Sequence, residues 1–398
     1  MITRIFNLIA LLWLSMGSAM ADIDFSTTGF FAPTIANDIG ANLGNNQAGN
    51  YSLTQSIAGM KNVLVTDYFN VNSFIDYAST NVKMVKKFQL RYLMIDKTFN
   101  FDSVETGVRL GRIKHKYGFY GSYYNEPTLT EFIYLPQALY RDTFNKVSTG
   151  GDGVQMYFND EIGNNIVHTF FGVSKPTITT NSKELVATYF FSRNMGFFDP
   201  NNSLIYDANL SVSNTATRTT YNLDIIDLKF KFVPSPTIKL PNFGTVPNPL
   251  TGSSDIDTKI ATFGIRQYFD CDIDVTGEYV YVTGSGDSWD KASSLYSSKP
   301  PYGYLVSVRK VTDKYTLSLT HDGYVATSNA MVPIMLGMND WNRYTFTTSL
   351  AGMYKLSNGD MVKAQLISGE GTNTLIQALN QQSAKYWHAV AFQYVIIF

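Results

Sequence analysis

Apolar and polar residues alternate along most of this sequence, in short segments that end at Asn, Asp, Gly or Ser. In the last segment, Val390, Phe392 and Tyr394 recur at a spacing of two, and Ala389 and Ala391 lie between them. Successive side chains of a β-strand point to opposite faces, so this spacing predicts strands with one apolar and one polar face.

Segments with this alternation recur from one end of the chain to the other, and seventeen of them are predicted to be strands. They lie at residues 24–35, 57–67, 71–79, 87–95, 103–113, 151–160, 165–174, 185–195, 205–213, 219–232, 257–269, 272–284, 301–311, 314–323, 343–354, 360–368 and 385–398. A single-chain bacterial barrel has an even number of strands. We therefore expect about sixteen strands, with eighteen as the alternative.

The connections between these segments fall into two classes of length. Short ones at 269–272 and 311–314 are predicted to be tight turns. The long ones are rich in Gly, Asn, Ser and Pro, as surface loops are, and they lie near 36–56, 114–150, 234–256, 284–300, 324–341 and 369–384. Short turns at one end and long loops at the other are typical of a barrel with periplasmic turns and extracellular loops.

An all-β fold, a transmembrane antiparallel β-barrel, accounts for this pattern. After residue 21 no stretch approaches the roughly 18 apolar residues of a spanning helix, and a closed sheet pairs every backbone group without water. Asp272, Asp274 and Glu278 would then face water in the lumen. By the same rule Leu228 would face lipid and Lys229 the lumen. A soluble β-sandwich or propeller remains an alternative, because alternation alone does not distinguish it.

The first 21 residues have the features of a secretory signal peptide. Arg4 precedes an apolar run from Ile5 to Met16, and small residues follow up to Ala21. The run is shorter than the roughly 20 residues that span a bilayer. We expect cleavage after Ala21 and a single barrel domain over residues 22–398, and an uncleaved anchor is the alternative.

Composition agrees with a membrane barrel and argues against several other classes of protein. Only 16% of residues are charged and 14% are aromatic, whereas about a quarter are charged in a typical soluble protein. Lys and Arg number 31 against 32 Asp and Glu, so no basic excess points to nucleic acid. Cys271 is the single cysteine. It forms no internal disulfide or thiolate metal site, and no cofactor or metal is expected.

The most basic stretch closes one predicted strand and leads into a long connection. It contains Arg109, Arg112, Lys114 and Lys116, with His115 among them. If the connection folds into the lumen, these cations line a constriction of the channel. Arg and Lys side chains at a constriction favour anions. Charges at a solvated strand end are the alternative.

Acidic and aromatic residues follow in the same connection. Glu126 and Glu131, together with Asp142 and Asp152, would face the basic wall and give a transverse field at a constriction. Plain solvation of these acids is the alternative. Eight aromatics are expected to pack the loop to the wall or, alternatively, to guide solutes; they are Tyr117, Phe119, Tyr120, Tyr123, Tyr124, Phe132, Tyr134 and Tyr140.

Catalytic motifs find little support in the sequence. The four histidines, at positions 115, 168, 321 and 388, are scattered, and neither an HExxH nor a GxSxG motif occurs. His321 precedes Asp322, but adjacent strand residues point to opposite faces. We expect no enzyme, with an outer-membrane hydrolase as a remaining alternative.

Two resemblances to known families follow from these residues. Phe392, Tyr394, Ile396 and Phe398 resemble the C-terminal assembly signal of outer-membrane proteins. That resemblance implies a Gram-negative outer-membrane location and recognition by the barrel assembly machinery.

Residues 51–175 resemble a group of Gram-negative porins that have a strand ending in Gly-Arg, a Pro-Phe-Gly-like turn and a long third loop. The matching positions are Gly111, Arg112, Gly118 and Asp152, and Lys116 stands where the pattern often has proline. The resemblance implies a sixteen-stranded, trimeric porin with loop three folded into the pore.

These observations lead to one function hypothesis and two alternatives. We expect a porin in the outer-membrane lipid, with a water-filled channel through which small hydrophilic solutes diffuse and a weak preference for anions. A non-conducting structural or adhesive barrel whose loops bind a partner is the first alternative. A barrel hydrolase is the second.

Overall fold

The computed structural model of the chain describes most of the expected strands and part of their connections. The described residues are 23–39, 51–52, 56–78, 88–102, 104–123, 126–136, 139–140, 150–177, 196–234, 236–240, 244–247, 255–285, 301–325, 341, 344–371 and 384–398. The expected signal peptide and the candidate strand 185–195 lie outside them, as do Tyr124 and Asp142.

Almost all of the described residues with regular structure are in β-strands, with one 3-10 turn at Gly121–Tyr123. The strands are β1 Ile23–Ala32, β2 Thr34–Ile39, β3 Tyr51–Ser52, β4 Ile57–Thr66, β5 Asn70–Ala78, β6 Phe88–Phe101, β7 Val104–Lys114, β8 Gly150–Ile162, β9 Asn165–Pro176, β10 Gly196–Asn214, β11 Thr219–Pro234, β12 Thr237–Leu240, β13 Gly244–Pro247, β14 Asp255–Tyr268, β15 Ile273–Ser285, β16 Tyr302–Val311, β17 Tyr315–Val325, β18 Tyr344–Lys355, β19 Met361–Gly371 and β20 Tyr386–Ile397. No described helix has the length and apolar character needed to cross a membrane.

The strands form one closed antiparallel barrel of sixteen strands. Pro33, which has no backbone N–H, separates β1 from β2 within the first barrel strand. The short β3 pairs with β2 just before β4, and β12 and β13 form a separate hairpin within a loop. The barrel closes where Phe30 pairs with Ile397 and β2 pairs with β20. The expectation of sixteen strands is confirmed.

Connection lengths alternate as expected. Short turns at 67–69, 163–164, 215–218, 269–272, 312–314 and 356–360 lie at the same end of the barrel as the C-terminus. The longer connections lie at the opposite end, which we call the long-loop end. Two of them contain more strand than expected, because β2 extends to Ile39 and the connection after β11 carries the β12–β13 hairpin.

The two faces of the barrel differ in polarity as the alternation predicts. On β17, Leu317 and Leu319 point outward and are about half exposed, whereas Ser318 and Thr320 point inward and are buried. On β20, Val390 and Phe392 point outward and Ala391 points inward. The closed sheet therefore has an apolar outer surface and an interior rich in polar side chains.

For one stretch of β11, the alternation predicted the wrong inward and outward faces. Ile226 and Leu228 point into the barrel and are 1% exposed, whereas Asp227 and Lys229 lie on the outer row. Tyr221 and Ile225 belong to the apolar part of that outer row. Beyond them the strand approaches the long-loop end, where outward charges are compatible with water. Asp272 also differs from expectation, because it lies in the 269–272 turn with a positive φ of 59°.

Two clusters of buried apolar residues lie inside the barrel beside the closing strands. Trp387 is fully buried and packs with Ile367 and with Tyr134 of the long β7–β8 connection. Gly369 makes room for it, because a Cβ there would lie 2.1 Å from the Trp387 ring. Truncating a buried Trp to Ala typically costs ~3–5 kcal/mol, so this cluster stabilises both the closure and the position of the connection.

The last residue takes part in the closure of the barrel. The Phe398 N–H donates to the Gly29 carbonyl oxygen at 3.0 Å, and the Gly29 N–H donates to the Phe398 carbonyl oxygen at 2.7 Å. The Phe398 ring covers Gly29, where a Cβ would approach it to 2.2 Å. The outward positions of Tyr394, Ile396 and Phe398 agree with the sequence pattern, and their role as an assembly signal stays a prediction.

Deletion of Phe398 is expected to lower the yield of folded barrel, because two backbone hydrogen bonds and the cover over Gly29 are lost. The folded fraction can be measured as heat-modifiable protein on unboiled SDS gels. Phe171→Ala, which truncates another outward phenylalanine, serves as the control. Equal folded yields for the deletion and the control would contradict the closure role.

Asp360, in the turn between β18 and β19, also ties down the last strand. It accepts hydrogen bonds from the Tyr394 hydroxyl at 2.7 Å, the Ile397 N–H at 3.2 Å and the Asn358 side-chain amide at 2.7 Å. The bond from Tyr394, followed by that from Ile397, lowers the pKa of Asp360 below its ordinary value. A carboxyl pKa lowered by folding stabilises the fold at neutral pH.

That stabilisation is present above the ordinary Asp pKa of about 4 and is lost as the pH falls through the folded-state pKa. We expect the urea midpoint of the refolded protein to fall between neutral pH and about pH 3. In Asp360→Asn the fall should be smaller, while Asp313→Asn in the neighbouring exposed turn should behave like the wild type. An identical pH profile for Asp360→Asn would show that the carboxylate has no such role.

Candidate pore site

The long β7–β8 connection folds into the barrel. Its described residues 115–123, 126–136 and 139–140 contact inward side chains of strands all around the wall, and most of them are buried. We call this segment the inward loop. Backbone groups inside a barrel need partners, so the contacts of its N–H and C=O groups explain how it is held.

The first attachment uses two carboxylates on the wall. The Gly118 N–H donates to Asp224 Oδ2 on β11 at 2.8 Å. The Phe119 N–H and the Tyr140 hydroxyl both donate to the Glu278 carboxylate on β15. One carboxylate therefore binds both the beginning and the end of the inward loop. Gly118 has a positive φ of 57°, a conformation that glycine adopts readily at such a turn.

The second attachment uses the side-chain amide of Gln365 on β19. Its Oε1 accepts from the N–H groups of Ile133 and Tyr134 at 3.0 and 2.8 Å, and its Nε2 donates to the Tyr134 carbonyl at 3.0 Å. The fully buried Lys363 donates to the Phe132 carbonyl at 3.4 Å. The middle of the loop is thus fixed to β19, six strands from β7 around the barrel.

Aromatic side chains fill the space between these attachments. Tyr120 is fully buried and packs edge-on against Phe132 and Tyr140, with ring centroids 5.4 and 5.7 Å apart. The guanidinium groups of Arg266 and Arg309 lie 5.4 and 5.7 Å from the centroid of the same ring. Packing of the loop to the wall, one of the two expected uses of these aromatics, is what the structure shows.

Glu126 and Glu131 both lie in the lumen and both meet cations of the wall. Glu126, 3% exposed, forms ion pairs with Lys61 on β4 and Lys114 on β7. Glu131, 2% exposed, lies 3.6 Å from Arg309 on β16. Because a buried carboxylate needs a charged or hydrogen-bonded partner, these pairs fix the loop as well as setting the local charge.

Arg109 points into the lumen and is held in one orientation. Its Nε donates to Asp96 Oδ2 at 3.0 Å, and its Nη1 donates to Gln155 Oε1 at 3.0 Å. The guanidinium lies 4.2 Å from the centroid of the Tyr157 ring. The Tyr157 hydroxyl in turn donates to Asp96 Oδ1 at 2.9 Å.

Lys116 belongs to the inward loop and is largely buried. Burial lowers its pKa, and the nearby Asp224 carboxylate partly opposes that effect, while Arg266 adds to it. The amine is thus a weaker base than an ordinary lysine.

Arg112 differs from the expectation that it lines the pore. It pairs in register with Asp152, which shares the outward row of β8 with Val154 and Met156. Arg112 Nε donates to Asp152 Oδ1 at 2.9 Å, and its Nη1 donates to the Leu90 carbonyl at 3.2 Å. The structure therefore places Arg112 near the long-loop end, on the outside, apart from the other three cations.

Two cations of the same wall were missed in the sequence. Lys61 on β4 meets Glu126, and Arg91 on β6 donates to Asp76 Oδ2 at 2.8 Å. Strand parity could have found Lys61, because it alternates with the outward Met60. No such signal existed for Arg91, since it lies beside the register shift between β5 and β6.

Exposure of the inward side chains differs between two sides of the lumen. The side chains of Lys61, Arg91, Arg109 and Lys114 are 15–26% exposed. On the other side of the barrel, Glu278 and Lys363 are at most 4% exposed, because the inward loop covers them. We call the four partly exposed cations, Lys61, Arg91, Arg109 and Lys114, the basic arc. No group of three or more His, Cys, Asp or Glu that could hold a metal occurs among the described residues.

Comparison with known proteins bears on the fold. No protein-family model matches the sequence, and a search of curated proteins finds no match. Among solved structures, the trimer form of OmpT, an outer-membrane protein of Vibrio cholerae, aligns with a TM-score of 0.55 and 10% identity over 94% of this chain and 99% of that chain.

Two further structures align over similar lengths. The anion-selective porin from Comamonas acidovorans gives a TM-score of 0.55 and 11% identity, covering 95% of this chain and all of that chain. The outer-membrane channel DcaP of Acinetobacter baumannii gives a TM-score of 0.54 and 9% identity, covering 95% of this chain and 98% of that chain. At these identities the likeness establishes the fold, a sixteen-stranded barrel of the kind found in outer-membrane proteins.

Proposed function

We propose that the chain is an outer-membrane porin, through which small hydrophilic solutes diffuse passively. The outer-membrane lipid would surround its apolar outer face, and the barrel assembly machinery would insert it by reading the last strand. The observation that carries this proposal is the basic arc, a row of partly exposed polar side chains beside an inward loop that fills the rest of the lumen.

Barrel size supports a channel over a solid barrel. About eight strands enclose little more than packed side chains, whereas sixteen leave room for an aqueous channel. In this chain the inward loop and the side chains of the basic arc share the interior of the barrel. The named solved structures include an anion-selective porin and an outer-membrane channel, which agrees with the proposal.

A weak preference for anions follows from the charges of the arc. Lys61, Arg91, Arg109 and Lys114 contribute four positive charges, and their partners Asp76, Asp96 and Glu126 contribute three negative ones. The remaining excess is a single positive charge. Charged side chains that line a narrow aqueous passage select ions of the opposite sign.

Neutralising the arc should therefore shift the channel toward cations. In planar bilayers with a salt gradient, Arg109→Gln and Lys114→Gln are each expected to lower the anion-to-cation permeability ratio roughly two- to fivefold, since one unit charge at a few ångströms in water contributes about 1 kcal/mol.

Arg112→Gln is the matched control, because it removes an arginine from the same strand on the outer face. Its reversal potential should equal that of the wild type. A shift for Arg112→Gln as large as that for Arg109→Gln would mean that the arc does not set the selectivity.

A non-conducting barrel is the second candidate, and one observation favours it. The inward loop buries the wall side chains of β14 to β19 almost completely, as it would in a closed structural or adhesive barrel. Single-channel recording separates the two, because only a channel gives discrete conductance steps.

We further propose that the porin is a homotrimer that associates through the outer face of β1, β4 and β5. There the Thr27 hydroxyl donates to Asn62 Oδ1 at 3.0 Å, and Asn62 Nδ2 donates to Ser73 Oγ at 3.2 Å. Polar side chains on a lipid-facing row are unfavourable, so contact with another copy would favour this face. The solved trimer form of OmpT supports this assembly.

Asn62→Leu is expected to weaken the trimer, because it replaces a polar side chain of this outer row with an apolar one that lipid accommodates, and it adds bulk at the contact. The temperature at which the trimer dissociates on SDS gels should fall by several degrees. Leu350→Ala, which truncates an apolar side chain on the outer face of β18, should leave that temperature unchanged. If native mass spectra of the wild type showed only the monomer, the proposed trimer would be refuted.

A further inference from the structure

His115 is the first residue of the inward loop and is 1% exposed. Its Nε2 lies 2.9 Å from Ser174 Oγ on β9, and its Nδ1 lies 3.0 Å from Asp207 Oδ2 on β10. The Ser174 contact is a hydrogen bond, whereas the Asp207 contact is a close charge contact that is not aligned as a hydrogen bond. The imidazole thus joins the start of the loop to two strands of the wall.

Glycines make the space that this imidazole needs. A Cβ at Gly151 would lie 2.2 Å from Ser174 Oγ, and one at Gly153 would lie 2.6 Å from Ser174 Cβ. A Cβ at Gly172 would lie 2.1 Å from Asp207 Oδ1. Side chains at any of these three positions would displace the groups that His115 contacts, so the niche is specific in shape.

The order serine, histidine, aspartate is also that of a catalytic triad, but its surroundings do not suit catalysis. Ser174 is 2% exposed, and a Cβ at Gly151 or Gly153 of β8 would lie within 2.6 Å of its side chain, so the backbone of β8 packs closely against it. Gly153 lies within a strand paired on both sides, so its backbone N–H is not free to form an oxyanion hole. A role in positioning accounts better for the arrangement.

The contacts of Asp207 continue into the open lumen. Gln155 Nε2 donates to Asp207 Oδ2 at 3.1 Å, and Gln155 Oε1 accepts from Arg109 Nη1 at 3.0 Å. His115, Asp207, Gln155 and Arg109 therefore form one chain of polar contacts. It runs from the start of the inward loop to a cation of the basic arc.

We propose that His115 is a positioning residue with two linked effects: it fixes the start of the inward loop and, through Asp207 and Gln155, it orients the Arg109 guanidinium that faces the passing ion. The ligand class concerned is small inorganic or organic anions. This second effect rests on the proposed channel, whereas the first does not.

The loop effect can be measured by hydrogen–deuterium exchange on the refolded full chain. In the wild type the amides of Gly118 and Phe119 donate to buried carboxylates and should exchange slowly. In His115→Ala we expect exchange of a peptide covering 115–123 to be roughly tenfold faster. His115→Gln, which can accept from Ser174 and donate to Asp207, should restore slow exchange.

His388→Ala is the matched control, because His388 is an exposed histidine on β20 outside this chain of contacts. Its exchange in 115–123 should equal that of the wild type. Unchanged exchange in His115→Ala would overturn the proposal, and so would labelling of Ser174 by a fluorophosphonate, which requires an accessible serine that is activated as a nucleophile. Neither result depends on whether the protein conducts.

The orientation effect is measured by a double-mutant cycle on the permeability ratio for chloride over potassium. The change in this permeability ratio caused by Arg109→Gln should be roughly half or less in the His115→Ala background of what it is in the wild type. Gln155→Ala should reduce it in the same way while leaving exchange in 115–123 slow, since it interrupts the contacts beyond the loop.

Fully additive effects of His115→Ala and Arg109→Gln would overturn the link between loop and cation. Absence of any conductance in the wild type would instead refute the channel and leave the exchange result to decide the role of His115 in the loop.

Discussion

Closure of the hydrogen-bonded sheet is the constraint on which the rest of the structure depends. Only a closed antiparallel ladder leaves no edge of unpaired backbone groups, and here the ends of the chain meet through β1 with β2 on one side and β20 on the other. Gly29 accommodates the Phe398 ring, and Asp360 binds the last strand from a neighbouring turn. Once the sheet is closed, side-chain parity separates an apolar outside from a polar inside.

A sixteen-stranded barrel has a wide polar interior, and the inward loop fills part of it with packed side chains. Its backbone groups are bound by Asp224, Glu278 and Gln365, and its two acids by cations of the wall. Buried charges are costly unless they are paired, so the same ion pairs that determine the loop position also determine the charge around the basic arc. The partly exposed side chains of the arc are where the proposed passage would lie.

The sequence predicted the fold well because strand alternation reports on faces directly. The alternation predicted most of the barrel strands, the 269–272 turn and the outward row of β20, and the number sixteen came from the rule that such barrels have an even number of strands. The site was only partly predictable. Arg109 and Glu126 were identified by their position in a basic stretch and a long loop, but Lys61 and Glu278 act through contacts between residues far apart in sequence. Arg112 points outward because its strand register with β8 pairs it with the outward Asp152, and the sequence did not reveal that register. Leu228 and Lys229 lie on the faces opposite to those predicted, because an outward charge is compatible with water near the long-loop end.

The most direct test of the account is the accessibility of spin labels placed one at a time along β17, with Cys271 replaced by serine and the protein refolded in lipid vesicles. The account predicts that labels at Leu317 and Leu319 respond strongly to oxygen dissolved in the bilayer, and that labels at Ser318 and Thr320 do not. A response without a two-residue period, or equal response of all four positions to a water-soluble reagent, would contradict a closed sheet with lipid outside and a polar lumen inside.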